Sequence, residues 1–260
     1  MQTGNHKKTP GIILSVIFVI SLIIVMFFSA MEMTIYGSLP DTFLDECEKY
    51  GCLKAVGISR EDMSGVTVDM FEYLRDNRDT LEDITATIKG QPDTPFFNEK
   101  ECLHMADCKG LFMGGYRLRG WCIAICIAAL AAVLIMFRRK LHDALYCLAT
   151  GALYGTLGFT GLAVIIGSLV AADFNRYFVM FHLIFFDNDL WLLDPTRDRL
   201  LMVMPEGYFM DCVRSIGLYF GIGMVILLAA AILCLVYEKH RCLKTENIDK
   251  KSTNKQGKMV

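Results

Sequence analysis

Two residues in this chain are well suited to moving protons near neutrality: His104 and His182. An unperturbed imidazole titrates near pH 6.5, so it can both take and return a proton in the physiological range. Of the five histidines, His6, His142 and His240 sit among basic residues, where topology or phospholipid headgroups account for them. His104 and His182 come from different polar segments, each flanking a long apolar run, so both can meet above the same part of a helical bundle. Taken singly, each is more often a structural, hydrogen-bonded histidine. As a pair in a chain poor in polar groups near its apolar runs, they form the best available general acid and base. Asp107 follows His104 by three residues; if Glu101 to Leu111 is helical the two share a face, and the carboxylate can orient the imidazole. The bland alternative is a surface pair worth a few tenths of a kcal/mol. The run Asp187-Asn188-Asp189 reads as a turn after His182, with Asn188 a weaker candidate as an oxyanion donor.

Other chemistries are not signalled. There is no G-x-S-x-G, no S-x-x-K and no glycine loop for phosphate. Cys102, His104, Cys108 and His182 can be assembled into a zinc set, but neither C-x-x-C nor H-E-x-x-H occurs, so no metal or cofactor is expected. Of ten cysteines, Cys47, Cys52, Cys102, Cys108 and Cys212 fall where disulfides can form. Cys47 with Cys52 and Cys102 with Cys108 are the closest pairs, and connectivity stays open. A bond between the second pair would bracket His104.

The elements that position these residues are set by a strong segregation of charge. The 260-residue chain is 54% hydrophobic and only 21% charged, with a net charge of -2. That is more apolar material than a soluble domain buries, and no basic field or motif recruits nucleic acid. Uncharged apolar runs at 11–31, 120–137, 144–172 and 216–237 are each long enough to cross ~30 Å of hydrocarbon as a helix. The predicted fold is therefore an all-α membrane protein with four transmembrane helices. The first run is too long for a signal-peptide core and is read as a retained span. Basic residues cluster in the terminus 1–10, the turn 138–143 and the tail 238–260, placing both termini in the cytoplasm by the positive-inside rule. Glu32 to Gly115 carries 17 acidic and 8 basic residues, so the segments 32–119 and 173–215, one with each histidine, face outward.

Within the first external segment, Val66, Met70, Phe71, Leu74, Leu81, Ile84 and Ile88 recur at helical spacings and predict two short helices around Asn77. The second is rich in aromatics, among them Phe181, Phe185, Phe186 and Trp191. Exposed to water it would leave a large apolar patch, so it must pack on the other segment, dip into headgroups or line a lipid-sized groove. Gly151-x-x-x-Gly155 in the third span allows another helix to approach closely. The tail after Lys244 is polar and is expected to be disordered.

Two stretches resemble a known family. Asn98-Glu99-Lys100-Glu101-Cys102-Leu103-His104-Met105-Ala106-Asp107-Cys108-Lys109 resembles the H-M-x-D-V-K signature of the lipoprotein intramolecular transacylases, integral membrane proteins of Gram-positive bacteria. Phe181-His182-Leu183-Ile184-Phe185-Phe186-Asp187-Asn188-Asp189-Leu190-Trp191-Leu192-Leu193-Asp194-Pro195, followed by Pro205-Glu206-Gly207-Tyr208-Phe209, resembles the second signature. The likeness takes in the four spans and the Tyr73-Leu74-Arg75 helix, with Cys108 standing where the family usually carries valine.

The resemblance implies an acyltransferase of the cell membrane, active at the outer leaflet. It would move the acyl chain from the secondary glyceryl ester of a diacylglyceryl-cysteine lipoprotein to that cysteine's own amine, leaving an N-acyl lyso-form. The implied partners are the diacylated lipoprotein N-terminus and membrane phospholipid. On this reading His104, oriented by Asp107, is the base for the α-ammonium, and His182 donates to the oxyanion or to the departing glycerol oxygen, with the two roles open to exchange. Asn188 and Asp189 support them, and Phe181, Phe185, Phe186 and Trp191 form the acyl-chain groove or interface. Two other classes compete: a non-enzymatic sensor or assembly factor that binds peptide, and a metal-dependent membrane hydrolase.

Overall fold

The computed structural model describes the backbone of residues 5–256 and the side chains of residues 8–244. The expectations for residues 1–4 and 257–260, and for the side chains of His6 and the basic tail beyond Lys244, lie outside the described residues. The chain forms α1 (Asn5–Tyr36), α2 (Asp41–Lys49), α3 (Cys52–Val56), α4 (Arg60–Leu74), β1 (Thr85–Ile88), β2 (Gln91–Pro95), α5 (Glu99–Met136), α6 (Leu141–Ala172), α7 (Phe174–Phe185), α8 (Arg199–Val203) and α9 (Glu206–Gln256). Four of these, α1, α5, α6 and α9, are long and apolar enough to cross a membrane.

The chain divides into two compact units. The first holds the stretches up to Met26, from Trp121 to Ile165 and from Gly221 onward. Its helices approach closely where side chains vanish. A Cβ on Gly151 would lie 2.9 Å from the backbone carbon of Ser15, and one on Gly155 would lie 2.8 Å from a Val19 methyl, so the small-xxx-small pair of α6 seats α1. Ser15 returns its hydroxyl to the Gly11 carbonyl at 2.8 Å, so its own polar group is paired within that contact. Around it, Val133, Phe137, Ala144 and Cys147 form a small buried cluster.

The second unit holds Phe27–Gly120 and Ile166–Phe220, and both histidines fall in it. Its core gathers Phe43, Met63, Val66, Met70, Phe71 and Phe96 with residues from α2, α3, α4, β1 and α8. Ser59 caps α4 by accepting from the Asp62 N–H at 3.0 Å. The expected second helix after Asn77 is instead a β-hairpin, in which β1 pairs antiparallel with β2. The spacing misled because i and i+4 share a face in both a helix and a strand. Ile84, Ala86 and Ile88 are all buried, a period of two. The turn decides the matter: Lys89 and Gly90 both take positive φ (52° and 78°), the two-residue geometry that suits a hairpin's twist.

Two other boundaries differ from the sequence reading. The turn between the second and third spans is shorter than 138–143, because α5 ends at Met136 and α6 starts at Leu141. The tail is helical rather than disordered as far as Gln256, continuing α9 without a break; once started, a helix propagates at little cost per residue.

If the α1–α6 contact depends on absent side chains, Gly151→Leu overpacks it and costs about 1–3 kcal/mol. Gly158→Leu, where nothing lies within 4 Å, is neutral. Thermal unfolding in detergent checks this; equal Tm values for the two variants would contradict it.

Candidate active site

His104 lies near the start of α5, a helix of 38 residues and so about 57 Å long, far more than a bilayer core needs. Its charged residues end at Arg119, so its uncharged second half is the span and His104 precedes it by four turns. What fixes that start is a capping box. Asn98 Oδ1 accepts the Glu101 N–H at 3.0 Å, and Glu101 Oε2 accepts the Asn98 N–H at 2.7 Å. The other oxygen of Glu101 accepts the Leu200 N–H at 2.6 Å, tying the first turn of α8 to the first turn of α5. Glu101 is 1% exposed, and burial raises its pKa while the two backbone donors pull it down.

Further bonds extend the clasp. Asn98 Nδ2 donates to Asp198 Oδ1 at 2.8 Å, Asp198 Oδ2 accepts the Asp194 N–H at 2.6 Å, and Lys100 reaches the Leu192 carbonyl. Arg199 donates to the carbonyls of Pro95 and Phe96 at 2.7 and 3.1 Å. The loop between α7 and α8 is thus pinned to the root of α5 at both the loop and the α8 end.

That pinning brings the two histidines together. Their ring centroids are 6.0 Å apart, with Phe186 5.5 Å from each. Trp191 lies 4.9 Å from the His182 ring and Phe178 4.3 Å. Both histidines are buried, at 7% and 6% exposure. Burial lowers both pKa values; for His104 the neighbouring His182 lowers it further against the pull of Asp107, and for His182 a backbone bond opposes burial. The two rings are therefore neutral at pH 7.

Their hydrogen bonds differ. His182 Nδ1 is 2.7 Å from the Phe178 carbonyl, one turn back on α7. A carbonyl only accepts, so Nδ1 carries the proton and Nε2 presents a lone pair. His104 Nδ1 is buried with no hydrogen-bond partner, while its Nε2 lies 3.6 Å from Cys108 Sγ. A buried polar atom left without a partner is costly unless something arrives to meet it.

The supporting residues are placed otherwise than the sequence suggests. Asp107 makes no bond to His104; its carboxylate accepts from Asn188 Nδ2 at 2.8 Å, and Asn188 Oδ1 caps the Leu190 N–H at 3.0 Å. The i,i+3 spacing does put Asp107 near the ring, but the loop amide takes the carboxylate first. Asn188 is consequently a latch between loop and helix through one of its two amide N–H groups. Asp189 is exposed and accepts the Leu192 N–H through its carbonyl. Phe186 is buried beside both imidazoles, whereas Phe181 and Phe185 are exposed at 41% and 53% beside Leu183 and Ile184. A Cys102–Cys108 disulfide does not fit: six residues apart on one continuous helix, the two sit roughly 9 Å apart along the axis and on different faces. Both thiols are free, as are those of Cys47, Cys52 and Cys212. Among the described residues no three His, Cys, Asp or Glu side chains converge as a metal cluster.

The sequence profile of the lipoprotein intramolecular transacylase Lit family matches residues 16–209, about three quarters of the chain. The chain belongs to this family. Solved structures of Lit from Bacillus cereus share its fold. One is 18% identical and covers 94% of this chain and 99% of that one, with a TM-score of 0.62. Two more carry a histidine-to-alanine substitution (18% identity, 94% and 97% covered, TM-score 0.61) and a histidine-to-arginine substitution (17% identity, 95% and 96% covered, TM-score 0.60). No curated protein sequence matches the chain. As a Lit family member the protein is an acyltransferase, carrying out intramolecular acyl transfer on a lipoprotein, and it spans the membrane several times.

Sequence reasoning missed the clasp, although Asn98-x-x-Glu101 is a capping-box pattern that residue types and spacing alone reveal. The Phe178 carbonyl that fixes the His182 tautomer leaves no trace in side-chain types. Removing the clasp carboxylate tests its weight. Glu101→Ala leaves two backbone donors unpaired and lowers stability by about 3 kcal/mol, seen as a reduced Tm in detergent, with Glu101→Gln intermediate because it keeps one acceptor. A wild-type Tm for Glu101→Ala would contradict this role.

Proposed function

We propose that His104 and His182 carry the acyl transfer, and that the acyl chain moves from the secondary glyceryl ester of a diacylglyceryl-cysteine to the α-amino group of the same cysteine. The supporting observation is the juxtaposition of two buried, neutral imidazoles with unlike hydrogen bonding. The C–O bond of the ester breaks, a C–N bond forms, and a proton from the amine ends on the glycerol oxygen. The product is an isomer of the substrate, and because an amide is more stable than an ester the exchange runs downhill without a nucleotide.

The roles follow from the tautomers and exchange those expected from the sequence. His182 Nε2, the lone pair left by the Phe178 bond, takes the proton of the attacking amine. His104 Nδ1 meets the ester oxygen as charge develops on it. Holding amine and ester in one pocket removes much of the entropic barrier, on the order of 7–11 kcal/mol at best. Phe186 keeps the rings dry, and the exposed aromatic face of Phe181 and Phe185 meets the acyl chains or the bilayer. With basic clusters at both ends and in the turn after α5, the termini lie in the cytoplasm and the histidines on the outer side, where a lipoprotein's lipid anchor and peptide meet. The partners are thus the diacylated lipoprotein N-terminus and surrounding phospholipid.

A synthetic diacylated lipopeptide, with fragmentation mass spectrometry to locate the acyl group on nitrogen, tests the site. His104→Ala and His182→Ala should each slow turnover by at least about 100-fold, the usual scale of general acid–base catalysis; a wild-type rate from either removes that residue. The pH profile gives an independent check. Because burial lowers both histidine pKa values, both rings gain their protons below the usual imidazole range, and the first acid limb met as pH falls belongs to the α-ammonium at about 7.7–8.0. The rate should rise with unit slope, bend near pH 8 and level off about one unit above it, and a second bend near an ordinary imidazole value of about 6.5 would contradict neutral buried rings. Phe185→Asp should raise KM while leaving Tm unchanged, and an unchanged KM would count against lipid contact there.

A further inference from the structure

One contact at the site plays no part in the steps above: Cys108 Sγ, one helical turn beyond His104 on α5, lies 3.6 Å from His104 Nε2. On a helix, residues four apart stack on one face, so the contact is built into the backbone. We propose that Cys108 is a positioning residue: its thiol donates to His104 Nε2 and so holds the proton of that imidazole on Nδ1, the buried atom without a partner. The inference rests on the reading of His104 and His182 as the reacting pair and adds what sets their opposite polarity.

A sulfur beside an imidazole can do three things. As a thiolate paired with an imidazolium it would be an activated nucleophile. Here burial, with Asp107's charge added, pushes the Cys108 thiol up to about 12, and burial also lowers His104, so both groups are neutral. As a neutral sulfur it can accept from Nε2–H or donate to Nε2. Thiol sulfur is a weak acceptor, whereas an unprotonated imidazole nitrogen is a good one, so S–H···N is the better bond. Nε2 then has no proton and Nδ1 has it. Fixing one nitrogen by the bond made at the other is how a histidine's working tautomer is ordinarily set.

The consequence is complementarity. His182 donates through Nδ1 to Phe178 and offers a lone pair; His104 accepts through Nε2 from Cys108 and offers an N–H. One imidazole is poised to accept from an amine and the other to donate to an ester oxygen, with no charge on either. The titratable groups facing His104 are His182 from α7 and Asp107, Lys100 and Cys108 from its own helix. Asp107 is already engaged by Asn188, which leaves Cys108 as the hydrogen-bonding neighbour of the ring.

The test uses full-length protein in detergent with the diacylated lipopeptide. Cys108→Val keeps a similar volume and removes the donor; Cys108→Ser keeps a donor. The expected result is a kcat lowered about tenfold in Cys108→Val, the loss of one neutral hydrogen bond, with KM and Tm unchanged, and Cys108→Ser restored to within about threefold of wild type. In protein with 15N-labelled histidine, the Nδ1 and Nε2 shifts assigned to His104 should mark a protonated Nδ1 in wild type and a mixture of tautomers in Cys108→Val. Wild-type kcat in Cys108→Val overturns the proposal. So does equal loss in both variants with a lowered Tm, which would mean packing. An inactive Cys108→Ser together with a hydroxylamine-sensitive acyl-enzyme in wild type also overturns it, because the thiol would then be a nucleophile. His104→Ala and His182→Ala run alongside separate the two levels: if they are slow while Cys108→Val is at full rate, the tautomer assignment fails and the histidine pair stands.

Discussion

A single buried carboxylate holds this site together. Glu101 closes the N-terminus of α5 against Asn98 and, with its second oxygen, captures the Leu200 N–H in the first turn of α8. Carboxylates are costly to bury, and this one is tolerated because each oxygen has a backbone donor. The geometry follows. The start of α5 fixes His104 one turn later; the start of α8 fixes the end of the loop that leaves α7; and α7 ends three residues beyond His182. Asn188, Lys100 and Asp198 then lace the loop between these points. The two imidazoles meet because two helix ends share one acid.

The proposed chemistry depends equally on dryness. Phe178, Phe186 and Trp191 surround His182, and Phe186 also covers His104. A solvated imidazole is half protonated near pH 6.5, whereas these are kept neutral by burial. Neutral rings suit a reaction that separates little charge and ends with a proton handed from one substrate atom to another. The exposed apolar run Phe181, Leu183, Ile184 and Phe185 lies on the same short helix as His182, so the buried histidine and the exposed apolar face are two sides of one element.

Much of this was legible in the sequence. Four spans follow from apolar length, and the site histidines stood out as the two of five that do not sit among basic residues. The H-M-x-D and F-H-x-I-F-F stretches named the family, and the small-residue pair in α6 packs as the spacing implied. What escaped did so for physical reasons. Ile84 and Ile88 satisfy helical and strand periods alike, and only the backbone at Lys89-Gly90 separates them. Asp107 was read as the partner of its neighbour along the helix, but Asn188, far off in sequence, takes its carboxylate. The His182 tautomer depends on a main-chain carbonyl, which no residue type encodes.

On the proposed mechanism, catalysis rests on the two histidines acting as one unit. The most direct measurement is kcat/KM for the single alanine variants and for the double variant on the same lipopeptide. Groups that act together are strongly non-additive, so the double variant should be no more than a few-fold slower than the slower single variant. Losses that multiply, so that the double variant falls by the product of the two, would contradict a shared site.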